Sequence, residues 1–379
     1  MTAVTLVTVD AGGNAPPMLD IARTLARRGE DVRVLGHERQ RDRVAATGAR
    51  FEPLDALAFW DCTIPRSLPS TLGQFSRLGS DGALRREVAD RLRSDATDVA
   101  LVDCLTASAV HGARDAGVPS AVLFHTFLAY WRDAYARGPV GVVARLRGVD
   151  MRAAWRSADA RIVTADATLD PAGHVGEPGT AWVGPTDAGV PAHPDPDRPP
   201  LVVVSLSTTW LPGQTAAYQR IVTALGSLPV RGLVTAGGIA PDRPIDLPPN
   251  VEWADRRRHA DVLPEASLVV GHGGHSTTST ALAHDLPLVI LPMNPHADQP
   301  MVAAAVERAG AGIALSPRAR PGEIAEAVVR ALGDRRMAAA AADLGRRVRS
   351  ADAADAASDR LLALVVRPTQ APERSPEEA

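Results

Sequence analysis

The first 165 residues alternate between short apolar runs and amphipathic stretches. Runs that are rich in β-branched residues predict strands at 4–9, 31–36, 98–103, 120–125 and 160–165. Between the first two runs, apolar side chains recur at Met18, Ile21, Ala22, Leu25 and Ala26. This i, i+3, i+4 spacing predicts one buried helical face, and Gly29 is placed to end the helix. The alternation is typical of parallel βαβ units.

A change of composition divides the chain. Residues 170–200 are dense in proline and glycine, which predicts an interdomain linker. The alternation then resumes, with strands predicted at 200–207, 232–237, 250–254, 267–272, 287–292 and within 310–316. Helices are predicted at 214–226, from about residue 276, at 321–332 and at 335–364.

These patterns predict the α/β fold class, with two Rossmann-like, doubly wound domains that face each other across a cleft. The boundaries are set at 1–190 for the first domain, 191–200 for the linker and 201–365 for the second, whose last helix can cross back to the first. Residues 366–379 are polar and contain proline, and we expect them to be disordered. Because ligands of such sheets bind beyond the carboxyl ends of the strands, the cleft is the expected binding site.

Length, charge and cysteine content narrow the class of protein. A chain of 379 residues is long enough for two domains, and a net charge of −3 excludes a basic field that would attract nucleic acid or an anionic membrane. The amino terminus lacks the pattern of a signal peptide, and no run reaches the ~18 apolar residues of a membrane span. Cys62 and Cys104 lack zinc-ligand spacing, which is typical of free thiols in a reducing compartment. We therefore expect a cytoplasmic protein without nucleic-acid or membrane partners.

The stretch VVGHGGHSTTSTAL (269–282) carries the most specific chemistry. A predicted strand ends at His272, two glycines follow, and a predicted helix begins with hydroxyl side chains. Glycines let a backbone approach an anion closely, and a helix N-terminus offers free N–H groups and the positive end of a dipole. The turn is a candidate phosphate site, although ordinary capping of a structural turn would use the same residue types.

Residues 250–310 resemble the donor-binding half of the GT-B glycosyltransferases of the natural-product and macrolide type (family 1, UDP-glycosyltransferase-like). The order and spacing of the HGG turn, the strand PLVILP and the pair DQ carry the resemblance. VVSLST (203–208) and the amino-terminal strand, glycine turn and helix extend it weakly over most of the chain. The resemblance implies a GT-B fold, an acceptor-binding first domain, a donor-binding second domain and transfer that needs neither a cofactor nor a metal.

The resemblance also implies roles for single residues on the donor side. The diphosphate of a nucleotide sugar would be held by His272, Gly273, Gly274, Ser276 and Thr277, with further contacts from Ser207 and Thr208. Asp298 and Gln299 would bind the sugar, since a carboxylate beside an amide matches hydroxyls that both donate and accept. Arg256 stands where the family has an aromatic residue that stacks on the nucleobase, and a guanidinium plane can stack there as well. Departures from the family pattern at Ser276, Thr280, Asp285 and Val302 leave the choice between UDP and TDP open.

The turn after the first strand departs from the family pattern. Members usually carry GHxxP there, and its histidine takes the proton from the acceptor hydroxyl, whereas this chain has GGNAPP with Asn14 in that place. An amide can orient an acceptor but is no general base near neutral pH. Asp103 matches the carboxylate that orients the histidine, and it could deprotonate the acceptor itself if burial raises its pKa. Further candidates at strand ends or in loops are Asp10, Asp61 and His125.

Three explanations of Asn14 stay open: an acceptor that needs little base catalysis, another residue in the role of base, or a catalytically impaired homologue. Aromatic residues cluster near strand ends of the first domain, although only 4% of the chain is aromatic. They predict a pocket for a small apolar or aromatic acceptor, lined by Trp60, Asp61, Phe124 and His125. Core packing explains the same aromatic residues equally well.

The expected function is inverting, metal-independent transfer of a sugar from a UDP- or TDP-sugar to a small secondary-metabolite acceptor. A nicotinamide dehydrogenase is less consistent with the sequence, because the amino-terminal glycines do not form GxGxxG. A nucleotide-sugar 2-epimerase shares the two-domain architecture but would lack an acceptor pocket. An accessory protein that binds a sugar nucleotide stays open because of Asn14, and so does a homodimer. His272 and His275 have no third ligand at suitable spacing, so no metal site is predicted.

Overall fold

The computed structural model describes residues 1–57, 61–255 and 257–365, and two parallel sheets organise these ranges. The first sheet contains β1 (Ala3–Val7), β2 (Asp31–Gly36), β3 (Arg50–Pro53), β4 (Val99–Asp103), β5 (Ser120–Phe124), β6 (Ala160–Val163) and β7 (Thr180–Trp182). The second contains β8 (Leu201–Ser205), β9 (Arg231–Thr235), β10 (Val251–Ala254), β11 (Leu268–Gly271), β12 (Leu288–Ile290) and β13 (Gly312–Ala314). The strand orders are β3-β2-β1-β4-β5-β6-β7 and β10-β9-β8-β11-β12-β13, all paired in parallel. The predicted fold class is confirmed.

Helices alternate with the strands. Those that follow strands of the first sheet are α1 (Ala15–Arg27), α2 (Arg41–Ala45), α3 (Leu68–Ser80), α4 (Gly82–Ser94), α5 (Ala107–Ala116), α6 (Pro139–Leu146) and α7 (Met151–Arg156). Those of the second half are α8 (Gln214–Gly226), α9 (His259–Val262), α10 (His275–Ala283), α11 (Gln299–Arg308), α12 (Pro321–Gly333), α13 (Arg335–Ser350) and α14 (Ala353–Leu362). No helix within the described ranges combines the length and the apolar character needed to cross a membrane.

Both faces of the first sheet are covered. Along β4, Leu101 packs in the apolar cluster that includes α1 and α14, whereas its neighbour Val102 packs in the cluster that includes α4 and α5. Alternation of side chains between the two faces explains this split, and a strand with helices on both faces is apolar throughout. The cluster that contains Val102 continues into the second half through Val203 and Leu282. The two halves therefore share part of their apolar core.

Two strands were not predicted. β3 is short and partly exposed, and β7 lies within residues 170–200, which composition had indicated to be linker throughout. The interpretation of that whole range as linker is wrong at β7. Trp182 explains why: its indole N–H donates to the buried Asp170 carboxylate (2.8 Å) and so anchors the strand beside β6.

The carboxyl-terminal helix was predicted as one segment over 335–364, but it is two. α13 ends at Ser350 and α14 begins at Ala353, so the chain changes direction between them. α14 packs against α1 of the first half, where Ala357 and Leu361 join the cluster of α1 and Arg28 forms ion pairs with two carboxylates of α14. The break lets the end of the second half bind the first.

Candidate functional site

The carboxyl ends of the two sheets meet across a cleft. Trp210, in the loop after β8, donates its backbone N–H to the carbonyl oxygen of Cys62 (2.7 Å). Thr126, after β5, donates its hydroxyl to Asp298 Oδ2 (2.7 Å), and the Tyr130 hydroxyl donates to the His296 carbonyl oxygen (3.1 Å). Each of these contacts joins a loop of the first half to a loop of the second. The predicted site residues can therefore be placed on one side or the other of a single cleft.

The glycine turn of the second half is shaped by the absence of side chains. Gly273 has φ +83°, and a Cβ there would lie 2.9 Å from the Gln299 carbonyl oxygen. A Cβ on Gly274 would lie 2.4 Å from His272 Nε2, so the imidazole lies directly against the turn. α10 begins at the next residue without a side-chain cap. Its first N–H groups and the positive end of its dipole form an arrangement that can bind an anion.

His272 is buried beside this turn, with 6% of its surface exposed. Burial lowers the pKa of its imidazole to about 4, so the ring is neutral near pH 7. Its Nδ1 is buried and has no hydrogen-bond partner among the described residues. Unpaired buried nitrogens are rare in folded proteins, which makes this one a candidate for contact with a ligand oxygen.

The hydroxyl of Ser276 already has a partner. Ser276 Oγ and Thr280 Oγ1 both donate to Asp187 Oδ1, at 3.1 and 2.8 Å. Ser276 therefore offers a phosphate its backbone N–H rather than its hydroxyl, and Thr277 lies beside it on the same first turn of α10. Burial raises the pKa of Asp187 to about 6. No sequence pattern points to Asp187, because it lies in a stretch without regular structure before the second sheet.

Ser207 and Thr208 follow β8 at the edge of the cleft. Ser207 Oγ accepts from the Thr209 N–H (2.9 Å) and so shapes the turn, while Thr208 is exposed. The last residue of β8, Ser205, forms a 2.9 Å hydrogen bond with His259 Nε2 at the start of α9. Sequence reasoning missed this pair, because the strand was predicted to continue to residue 207 and Ser205 lay inside it.

The predicted sugar-binding pair divides into two roles. Asp298 faces the first half through its bond to Thr126, and burial raises the pKa of its carboxyl to about 6. Gln299 uses its amide oxygen to accept from the N–H groups of Met293 and Asn294, both at 2.8 Å. Asp298 is therefore placed to contact a ligand in the cleft, whereas the amide oxygen of Gln299 shapes the loop that carries it.

Asn14 and Asp103 form a closed pair on the first half. Asn14 Nδ2 donates to Asp103 Oδ2 (2.7 Å) and to the Val9 carbonyl oxygen (2.5 Å), while its Oδ1 accepts from the Ala11 N–H (2.9 Å). Both amide protons are used, so Asn14 has none left with which to orient an acceptor. The suggestion that Asn14 orients an acceptor by donating a hydrogen bond is wrong in this structure. Its side chain holds the turn against Asp103 instead.

Asp103 is 1% exposed, and burial raises the pKa of its carboxyl to about 6. The Leu105 N–H donates to its Oδ1 (2.9 Å), and Asn14 occupies its Oδ2. The expectation that burial raises this pKa agrees with the structure. The carboxyl group is, however, enclosed by its hydrogen-bond partners, which separates it from an acceptor.

His125 lies beside Asp103. Its Nδ1 is 4.0 Å from Asp103 Oδ1 and 3.8 Å from Cys104 Sγ. Asp103, Cys104 and His125 each offer one atom that could bind a metal, and the three atoms lie within 4.8 Å of one another. Burial raises the pKa of the Cys104 thiol well above its usual value, so a metal would have to displace a firmly held proton. The sequence had placed no candidate metal ligands here, because the three residues come from the ends of two different strands.

The remaining acceptor-side predictions have mixed outcomes. Phe124 is fully buried and packs edge-on against Trp155, at 5.3 Å between ring centroids. It belongs to the core rather than to a pocket, because its side chain packs in the same apolar cluster as Val102 and Trp155. Asp61 accepts from the N–H and the hydroxyl of Thr63, at 2.9 and 2.6 Å, next to the Cys62–Trp210 contact. Trp60 and Arg256 lie outside the described residues.

Comparisons with known proteins agree with the resemblance. Residues 234–364 match the family model described as Erythromycin biosynthesis protein CIII-like, C-terminal domain. The demethyllactenocin mycarosyltransferase of Streptomyces fradiae is 38% identical over 121 residues, which cover 30% of this chain and 26% of that protein. The matched stretches span between 26% and 54% of the length of the first three curated relatives.

Solved structures resemble nearly the whole chain. The glycotransferase of kitacinnamycin has a TM-score of 0.79 at 23% identity, and the likeness covers 96% of this chain and 99% of that one. The glycosyltransferase VinC, in complex with DTDP, has a TM-score of 0.67 at 16% identity, with 96% and 99% covered. The fold is therefore GT-B, and the similarity to natural-product glycosyltransferases that the motif indicated is confirmed.

Proposed function

From a GT-B fold whose second half carries an EryCIII-like carboxyl-terminal domain, we propose that this chain is a glycosyltransferase of the natural-product type. It transfers a sugar from a nucleoside diphosphate sugar to a small secondary-metabolite acceptor. The observation that carries the proposal is the glycine turn: an uncapped helix N-terminus lies next to His272, whose buried Nδ1 has no partner in the part of the chain that the structure describes.

The donor diphosphate binds at this turn. The N–H groups at the start of α10 and the imidazole of His272 supply hydrogen bonds to its oxygens, and the close backbone approach depends on Gly273 and Gly274. As the bond between the sugar and the diphosphate breaks, negative charge grows on the leaving oxygens. Fixed donors that face this charge stabilise the transition state more than the ground state, as an oxyanion hole does.

The sugar lies between the turn and Asp298. The carboxylate of Asp298 can accept hydrogen bonds from sugar hydroxyls, but the Thr126 hydroxyl already donates to its Oδ2. The donor must therefore replace the Thr126 contact or use the second carboxylate oxygen. The acceptor, a small apolar or aromatic molecule, enters from the first half and attacks the anomeric carbon from the side opposite the diphosphate, which inverts its configuration.

Support for a thymidine or uridine nucleotide comes from relatives alone. VinC was solved with DTDP, and one curated relative from Bacillus subtilis bears the name UDP-glucosyltransferase. The α10 N-terminus supplies the positive potential that a metal would otherwise provide, so we propose that the donor binds without a metal.

Calorimetric titration with UDP and TDP, without and then with magnesium, tests the proposal. We expect one nucleotide to bind with a clear preference and with an affinity that magnesium leaves unchanged. Absence of binding by both would contradict a donor site at the turn, and binding that requires magnesium would contradict metal independence. The alternative of an accessory protein is not favoured, since proteins similar to this chain are named as glycosyltransferases.

A further inference from the structure

The pair that replaces the missing histidine is closed to an acceptor. Asn14 and Asp103 are 2% and 1% exposed, and their polar atoms bond to each other and to the backbone. A general base must come within hydrogen-bond reach of the proton that it takes. Neither side chain meets that requirement in this structure, so a neighbouring group is better placed to take the proton of the acceptor.

His125 is the titratable group next to this pair. It follows β5, keeps 13% of its side chain exposed and has Nδ1 4.0 Å from Asp103 Oδ1. The edge of its ring contacts Trp131, at 4.9 Å between centroids, and Cys104 Sγ lies 3.8 Å from Nδ1. These neighbours fix the orientation of the ring, with Nδ1 toward the carboxylate and Nε2 on the opposite edge.

The same residue lies where the acceptor side meets the donor side. Its chain neighbour Thr126 bonds to Asp298, and the next residue, Phe127, packs edge-on against His275 at the start of α10 (5.6 Å between centroids). His125 is thus held between the buried carboxylate of the first half and the predicted sugar and diphosphate contacts of the second.

We propose that His125 is the general base of the transfer and that Asp103 positions it; this rests on the proposed function. Nε2 of neutral His125 takes the proton of the acceptor hydroxyl while the acceptor oxygen forms a bond to the anomeric carbon. The bond from that carbon to the diphosphate oxygen breaks, and its electron pair leaves with the nucleoside diphosphate. The imidazolium then releases the proton to solvent, so no other reactant is needed. The histidine and aspartate of the family are kept, but the histidine is supplied by β5 instead of the first turn.

The charges around the ring act in opposite directions. Burial lowers the pKa of His125 to about 3, so the ring is neutral at neutral pH, but a base is most effective with a pKa near the working pH, and proton uptake by this ring therefore depends on negative charge nearby. Asp103, whose pKa is about 6, is ionised at pH 8 and stabilises the imidazolium that forms. The donor diphosphate brings further negative charge to the cleft, which favours proton uptake by the imidazole. His125 Nδ1 lies 4.0 Å from Asp103 Oδ1, which is long for a hydrogen bond. Catalytic hydrogen bonds are often this long before substrates bind.

The test compares two acceptors of similar shape in wild type and His125→Gln at pH 8. These are 4-nitrophenol, which is largely ionised there, and 4-nitrobenzyl alcohol, which is not; the donors are UDP-glucose and TDP-glucose. Glutamine keeps hydrogen bonding but cannot take a proton. We expect kcat/KM for the alcohol to fall by about 10²–10⁴-fold and that for the phenol to change far less. Equal losses for both acceptors, or no loss for either, would overturn the assignment.

The matched control is His111→Gln, a half-buried histidine on α5 outside the site, which should leave both rates unchanged. A readout without turnover uses the ¹⁵N NMR signals of the His125 ring in wild type with the bound nucleotide. We expect protonated Nδ1 and unprotonated Nε2 at pH 8, and a change of this tautomer ratio in Asp103→Asn. The opposite tautomer, or a zinc-induced shift that is lost in Cys104→Ser, would overturn the role. Failure of the proposed function is distinct: neither nucleotide would bind to the wild type.

Discussion

The two sides of the cleft are built in different ways. The glycine turn of the donor side is continuous in sequence: the strand end, His272, the two glycines and the helix N-terminus lie within residues 268–283. The acceptor side is assembled from separate segments, since Asn14, Asp103 and His125 come from a turn and two strand ends. Among the described residues, the donor side also leaves His272 Nδ1 without a hydrogen-bond partner, whereas Asn14 and Asp103 are closed on each other. Under the proposed function, the donor side binds the nucleotide and the acceptor side takes up the proton, so variants should separate the two.

The largest effect is expected from Asp103→Asn. Loss of the buried charge removes the stabilisation of the His125 imidazolium, so kcat should fall by about 10²–10⁴-fold. The Kd for the nucleotide should stay the same, because Asp103 makes no contact with the glycine turn. Steady-state kinetics together with calorimetry measure both quantities.

Asp170→Asn is the control for this variant. Asp170 is also fully buried, but its carboxylate accepts from the N–H groups of Leu128 and Ala129 and from the indole of Trp182. The Asp170→Asn variant should lower thermal stability and leave the activity per folded molecule unchanged. If Asp103→Asn weakened nucleotide binding as much as turnover, the separation of the two sides would be wrong.

A smaller effect is expected from His272→Ala, and it concerns binding. If Nδ1 or Nε2 contacts a phosphate oxygen, truncation removes about 1–3 kcal/mol of nucleotide affinity, which is about 5- to 150-fold in Kd. The exposed His193→Ala is the matched variant and should bind as the wild type does. An unchanged Kd in His272→Ala would show that the unpaired nitrogen has no part in donor binding.

The contrast between the two sides also explains what the sequence could predict. The spacing of apolar residues and the positions of turn-forming residues predicted most strands and the donor turn. Such features depend on residues that are neighbours in the sequence. β3 and β7 escaped because short edge strands depend on pairing and on contacts such as Trp182–Asp170. The closure of Asn14 on Asp103 and the approach of His125 to that pair join residues 89 and 22 positions apart, which no local pattern reports. Asp187 is a further example, because its partners Ser276 and Thr280 lie about 90 positions away.

The smallest expected effect belongs to Asp187, which links the segment before the second sheet to the donor turn. Its pKa is raised from 3.8 to about 6, so the folded chain binds more protons than the unfolded chain between those values. The protonated Asp187 therefore stabilises the folded state relative to the unfolded state below about pH 4, and this stabilisation is lost as the pH rises through about 6. Asp187→Asn keeps an oxygen that can accept from Ser276 and Thr280 but carries no charge.

Between pH 4 and pH 7.5 we expect the variant to gain about 2 kcal/mol of stability over the wild type, since one pKa step is worth about 1.4 kcal/mol and the weaker hydroxyl contacts of the variant count equally at both pH values. Denaturant unfolding at the two pH values measures it, and the exposed Asp197→Asn should show no such pH-dependent gain. A gain of the same size at both pH values would mean that the charge of Asp187 is not what costs stability. Because the change also removes a negative charge beside α10, nucleotide binding at pH 7.5 should tighten rather than weaken, which ties this contact to the donor side of the cleft.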